Sequence, residues 1–133
     1  MGTGRFSVST TTRTEFVDIT SLVQKEVAGS AIRDGVCHVY NPHTTAGLTI
    51  NEGADPAVKD DIVAVLKRVI PRDYPYKHME GNSQAHIMAS LMGSSITVFV
   101  EDGKLVLGTW QKIFFCEFDG PRQRMVVVQV RGQ

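Results

Sequence analysis

Residues 95–130, SITVFVEDGKLVLGTWQKIFFCEFDGPRQRMVVVQV, decide the fold. SITVFVE and KLVLG are short β-branched runs on either side of Asp102-Gly103, a dipeptide that closes two-residue hairpins. KIFFCEF follows, then a turn at Asp119-Gly120-Pro121, then QRMVVVQV. IFFC and MVVV are apolar on both strand faces, which predicts cover on both sides, by a second sheet or by another subunit. Strands joined by tight turns in this way specify antiparallel pairing.

Working outward, the chain upstream supplies the rest of a sandwich. Arg5 to Thr14 is rich in threonine and valine, as an exposed or edge strand would be. Thr20 can cap a helix through about Ile32, with Leu22, Val23, Val27 and Ala31 on a helical period. Gly35 to Tyr40 reads as a strand broken by Asn41-Pro42, and Leu48 to Asn51 as another. Asp55-Pro56 places a carboxylate at an N-cap and proline at the first helical position. Val58, Ile62, Val65, Leu66 and Val69 then form one apolar helical face, which Pro71 ends. Residues 71–85 have no period and read as a long loop, after which His86 opens a strand with Met88 and Ser90 on its face. The expected fold is α+β: a strand-rich, two-layer antiparallel β-sandwich-like core with two flanking helices, in one domain over residues 1–133.

Composition narrows the function. Fourteen basic residues balance fourteen acidic ones, so no whole-molecule field draws nucleic acid or an anionic membrane, and self-association is less opposed. No apolar run approaches the ~20 residues of a membrane span. No basic stretch followed by an apolar run opens the chain, so a cytoplasmic location is expected. Cys37 and Cys116 lie inside apolar runs and read as buried thiols, not as a disulfide framework.

The four histidines, His38, His43, His78 and His86, lack zincin spacing, and there is no CxxC. Any site is therefore assembled from separate segments. His38 alternates with Val36 and Tyr40 and reads as a core or cross-strand residue. His43, behind a proline turn and before two hydroxyls, suits a site and a surface turn equally. His78 and Glu80 fit a solvated loop, and Asp55 is already accounted for as a cap. Trp110 fits core or interface, and Arg122 and Arg124 fit the solubilising of an edge strand.

Three segments taken together say more. HTTAGLTINEGADP at 43–56, YKHMEGNSQAHIMASLMGSS at 76–95 and GTWQKIFFCEFDGPR at 108–122 resemble the YjbQ family, UPF0047. The resemblance implies a compact β-sandwich-like fold, a homotrimer, and polar pockets near subunit boundaries. It places the family's polar cluster on His43, Thr44, Asn51, Glu52, Asp55, His78 and His86, with Trp110, Gln111 and Arg122 nearby. Members are often labelled secondary thiamine-phosphate synthases.

Three functions follow as expectations. The first joins a pyrimidine methyl pyrophosphate to a thiazole phosphate and releases pyrophosphate. Asp55 and Glu52 would hold magnesium, while Thr44, Thr45, Asn51, Trp110, Gln111 and Arg122 would contact the phosphorylated substrates. The second is hydrolysis at a transition metal on His43, His78 and His86, zinc or manganese by ligand type, with Asp55 or Glu52 as base. The third is a trimeric binder of a small anionic metabolite. His43 and His86, with Asp55 and Glu52, are the catalytic candidates of the enzyme readings.

Overall fold

The computed structural model describes residues 3–133, leaving Met1 and Gly2 of the expected domain outside the description. Eight strands and three helices occur in the order β1 (Thr3–Ser9), β2 (Glu15–Asp18), α1 (Thr20–Gly29), β3 (Gly35–Tyr40), β4 (Ala46–Glu52), α2 (Pro56–Val69), α3 (Ser83–Met92), β5 (Ser95–Glu101), β6 (Lys104–Leu105), β7 (Gln111–Glu117) and β8 (Gln123–Gly132). They form a five-stranded sheet, β1-β8-β3-β5-β6, and a three-stranded sheet, β2-β7-β4, antiparallel throughout. The hairpin at Asp102-Gly103 is as expected: Glu101 pairs Lys104, and both loop residues have positive φ, 53° and 76°.

The main core lies between the sheets. Val126, Val128 and Val130 of β8 meet Ile113 and Phe115 of β7, with Val23 and Val27 of α1 added. β7 is buried on both faces, because Phe114, Cys116 and Phe118 point the other way into a second core beneath α3. β8 is not. Its alternate residues Met125 and Val127 face outward, so MVVV is covered on one side only within the chain.

Four other expectations change in detail. The opening strand breaks between Ser9 and Glu15 into β1, at the sheet edge, and the separate β2. α1 starts at Thr20, but Thr20 is not its cap. Asp18 instead accepts from the Thr20 N–H and hydroxyl at 2.9 and 2.7 Å, while Thr20 Oγ1 accepts from the Ile113 N–H at 2.8 Å. The helix stops at Gly29, short of Ile32, and Ala31 turns to φ 59°. Finally, His86 does not open a strand. Residues 83–92 form α3, a third helix, because Ala85, Met88 and Ala89 recur at helical spacing and bury together on β7.

α2 keeps its expected start: Asp55 Oδ1 accepts from the Ala57 N–H at 2.9 Å. Its apolar face is only half used. Ile62 and Leu66 reach the second core, whereas Val65 and Val69 stay 59% and 67% exposed. No helix among the described residues is long and apolar enough to cross a membrane.

Candidate functional site

The turn between β3 and β4 is set by one buried amide. Asn41 Oδ1 accepts from the His43 N–H at 3.0 Å, and its Nδ2 donates to the Ala46 carbonyl at 2.6 Å. His43 is thereby aimed at β8, where its Nε2 accepts from the Met125 N–H at 2.9 Å. Two residues on, Thr45 Oγ1 accepts from Arg124 Nη2 at 2.9 Å. Consecutive β8 residues therefore hold both ends of the His43–Thr45 segment.

Arg124 is itself half of a buried ion pair. It is 4% exposed and Glu117 is 0% exposed. Arg124 Nε donates to Glu117 Oε1 at 2.8 Å, and Nη2 donates to Oε2. The Thr10 hydroxyl and the Asp119 N–H complete the carboxylate at 2.8 and 2.9 Å. Burial alone would push the Glu117 carboxyl up, but these hydrogen bonds outweigh it and hold it below the usual carboxylate range. His43 is lowered from its ordinary value, first by burial and then by the Arg124 charge. The Met125 N–H needs its Nε2 lone pair and acts in the same sense.

Beyond Glu117 the chain turns at Asp119, which gathers three segments. Its Oδ2 accepts from Arg122 Nη2 at 3.1 Å and Asn82 Nδ2 at 2.9 Å, and its Oδ1 lies 3.7 Å from Arg13 Nη1. Arg13 reaches it because Gly120 passes tightly under that segment. A Cβ on Gly120 would stand 2.4 Å from the Thr12 carbonyl oxygen, and the Gly120 N–H donates to the Arg13 carbonyl at 3.0 Å. Asn82 stands at the N-cap of α3 but spends its amide on Asp119, with no side-chain cap bond. One turn into that helix, His86 meets His78 edge-to-face at 5.3 Å between ring centres.

The result is an open, polar cleft of about 570 Å³. Arg13, Arg72 and Arg122 line it with Thr44, Thr45, His78 and His86; Glu80 and Asp119 are its carboxylates. A shallower hollow of about 500 Å³ adjoins it, lined by His43, Ala46 and one face of α3, with Thr44 and His86 common to both.

Of the sequence candidates, His43, Thr44, Thr45, His78, His86 and Arg122 come together here. Asn51, Glu52, Asp55, Trp110 and Gln111 do not. They sit at the opposite end of the β4–β7 ladder, where Glu52 pairs Gln111 while Ala46 pairs Glu117. Six residues of strand separate those ends, about 20 Å. Each has local work there. Asn51 accepts from the Glu52 N–H, and Glu52 accepts from the Ala54 and Asp55 N–H groups. Gln111 accepts from the Gly108 N–H, and the Trp110 carbonyl accepts from the Gly53 N–H, the residue itself being 62% exposed.

The donor set does not fit a metal within one chain. Among the described residues no three His, Cys, Asp or Glu side chains are placed to share a cation. His78 and His86 pair, but His43 Nε2 is taken by Met125, and Asp55 and Glu52 are at the far end of the strand. Cys37 and Cys116 are free, buried and distant from metal chemistry. Burial, with Glu26 beside it, pushes the Cys37 thiol up to about 11, and burial raises Cys116 further.

Reasoning from sequence missed Arg13, Arg72, Asp119 and Glu117, and it read Arg124 as a solubilising charge on an edge strand, whereas β8 runs between β1 and β3 and Arg124 is buried. One signal was available. Arg124 shares strand parity with the inward Val126 and Val128, and Glu117 lies between Cys116 and Phe118, so both charges occupied core positions.

The family model for "UPF0047 protein YjbQ-like" matches residues 4–133. A UPF0047 protein of Methanocaldococcus jannaschii is 50% identical over 128 residues, covering 96% of this chain and 93% of its own. The UPF0047 protein YugU of Bacillus subtilis is 48% identical over 126 residues, covering 94% and 96%. Among solved structures, a YjbQ/UPF0047 family protein from Clostridium acetobutylicum superimposes with a TM-score of 0.94 at 55% identity, covering 96% of this chain and 98% of that one. A YbjQ-like protein of unknown function from Sulfolobus solfataricus gives 0.94 at 36% identity, covering 99% and 97%. Matched from end to end in both sequence and fold, the chain belongs to the YjbQ-like UPF0047 family.

Proposed function

We propose that this protein binds a small phosphorylated molecule in the cleft between the β3–β4 turn, α3 and the β7–β8 turn. One observation carries the reading: Arg13, Arg72 and Arg122 converge from three segments on a single open cleft, in a chain of zero net charge. Guanidinium groups match phosphate oxygens in pairs, and the Thr44 and Thr45 hydroxyls add neutral donors beside them. His78 and His86 can donate hydrogen bonds to the same anion. Thermal unfolding tests this. Inorganic phosphate should raise the Tm of the wild type in a concentration-dependent way. Arg122→Ala should fold with a similar Tm and show a clearly smaller response. An equal response in both proteins would remove Arg122, and with it the cleft, from phosphate binding.

A transferase of thiamine-phosphate-synthase type is the second reading, favoured by the same arginines. Pyrophosphate leaving carbon accumulates negative charge, and fixed cations stabilise it in the transition state. Among the described residues no three His, Cys, Asp or Glu side chains are grouped as a metal site, so this reading rests on the arginines. Supplying both thiamine precursors and following thiamine phosphate and pyrophosphate separately tests it. Thiamine phosphate made equally by wild type and His86→Ala would exclude His86 from the reaction. Pyrophosphate without thiamine phosphate would favour hydrolysis, and phosphate binding without turnover a binding module. The homotrimer is part of the proposal, because Val65 and Val69 of α2 stand uncovered in the single chain.

A further inference from the structure

Arg13 and Arg72 serve two walls. On one side they line the cleft described above; on the other they line a second cleft of about 450 Å³, with Thr12, Thr14, Lys67 and Gln84. Its three cations come from three places: Arg13 from the β1–β2 connection, Lys67 from the last turn of α2, and Arg72 from the loop beyond. Among the described residues no carboxylate lines it, whereas the first cleft sets Glu80 and Asp119 against its arginines.

The charges are not neutralised elsewhere. Lys67 and Arg72 form no ion pair among the described residues, and Arg13 has only its 3.7 Å approach to Asp119. Arg13 Nη2 is covered by protein and has no hydrogen-bond partner among the described residues, so no protein acceptor neutralises that end of the guanidinium. Lys67 in the last turn of α2 complements the helix dipole, which accounts for Lys67 alone. Arg13 and Arg72 lie outside that helix and still face the same space. The wall is held in place. Gln84 Nε2 donates to the Ile70 carbonyl at 2.7 Å, tying the exit of α2, two residues before Arg72, to α3.

We propose that Arg13, Lys67 and Arg72 form a second anion subsite, continuous with the first, so that the protein holds two phosphate-class groups, one on each side of the Arg13–Arg72 wall. This rests on the phosphate reading of the first cleft. Two phosphoryl groups of one molecule, or the phosphates of two molecules bound side by side, present the same chemistry to these cations.

Titration calorimetry of the full chain with inorganic phosphate at low ionic strength tests it. Wild type should bind two phosphates per chain. Lys67→Ala, an exposed change on α2, should weaken one of them by about tenfold or more and leave the other unchanged. Arg122→Ala should do the converse. Inorganic pyrophosphate then separates the sources. A single pyrophosphate whose affinity falls in both variants supports one bridging ligand, and two independent pyrophosphates support two ligands. A single phosphate in wild type, lost in Arg122→Ala and indifferent to Lys67→Ala, would overturn the second subsite and leave the first cleft standing. A second phosphate indifferent to Lys67→Ala overturns it equally. No phosphate bound by wild type would overturn both.

Discussion

Glu117 and Arg124 carry charge where water does not reach, and only their mutual geometry makes that tolerable. Removing one partner of such a pair costs about 3–5 kcal/mol, because the other charge is left buried and unpaired. Glu117→Leu and Arg124→Met should each lose stability on that scale in urea unfolding, and the double variant should lose less than either single. A loss below about 1 kcal/mol in both singles would mean that the pair is dispensable. His43 gives a pH signature. Its pKa is lower in the fold than its unfolded value of about 6.5, so the unfolded chain binds more protons between those values and stability falls as pH drops through them. Glu117, also depressed, keeps its contribution until pH falls below the unfolded carboxylate value of about 4.3. Between pH 7 and 5, His43→Gln should therefore show a shallower loss of stability than wild type. Parallel curves would contradict a half-buried His43 whose Nε2 lone pair is taken by the Met125 N–H. Residues of this kind were only partly legible in the sequence. Parity could have flagged Glu117 and Arg124, but Arg13 and Arg72 lie in aperiodic segments where nothing local tells which way a side chain points.

Among the elements, those with strong local signals were legible: the Asp102-Gly103 hairpin, β3, the doubly buried β7 and the capped start of α2. α3 was not, for two physical reasons. Over a few residues, His86, Met88 and Ser90 fit a period of two as well as Ala85, Met88 and Ala89 fit a helical one. The helix start is also weakly marked, since Asn82 at the N-cap is followed three residues on by Ala85 and not by the Glu or Gln of a capping box. Resemblance to a family gathered the polar residues of 43–56 into one group, yet β4 carries them to opposite ends of a strand. Asp55→Ala separates the two accounts. As a cap alone, it should cost about 1 kcal/mol of stability and leave phosphate binding intact. Loss of binding at unchanged stability would return Asp55 to the site.

At the scale of the whole molecule, apolar side chains remain uncovered on two faces: Val65 and Val69 on α2, and Tyr40 and Phe99 on the outer side of the five-stranded sheet. The zero net charge does nothing to keep copies apart. Light scattering at micromolar concentration should give three times the mass of the chain, and a clean monomer would contradict the trimer. Both sheets hold the turn that lines the polar cleft, since β8 supplies Arg124 and the Met125 N–H to Thr45 and His43, and β7 supplies Glu117 to Arg124. That arrangement predicts where a ligand lands. In a ¹H–¹⁵N correlation spectrum titrated with inorganic phosphate, amide shifts should cluster at Thr44, Thr45, Gly81, His86 and Arg122, and for the second phosphate at Thr14, Lys67 and Gln84, with Asn51 to Asp55 and Trp110 unmoved. Shifts centred on Glu52, Asp55 and Trp110, or none at all, would contradict the cleft as the working site.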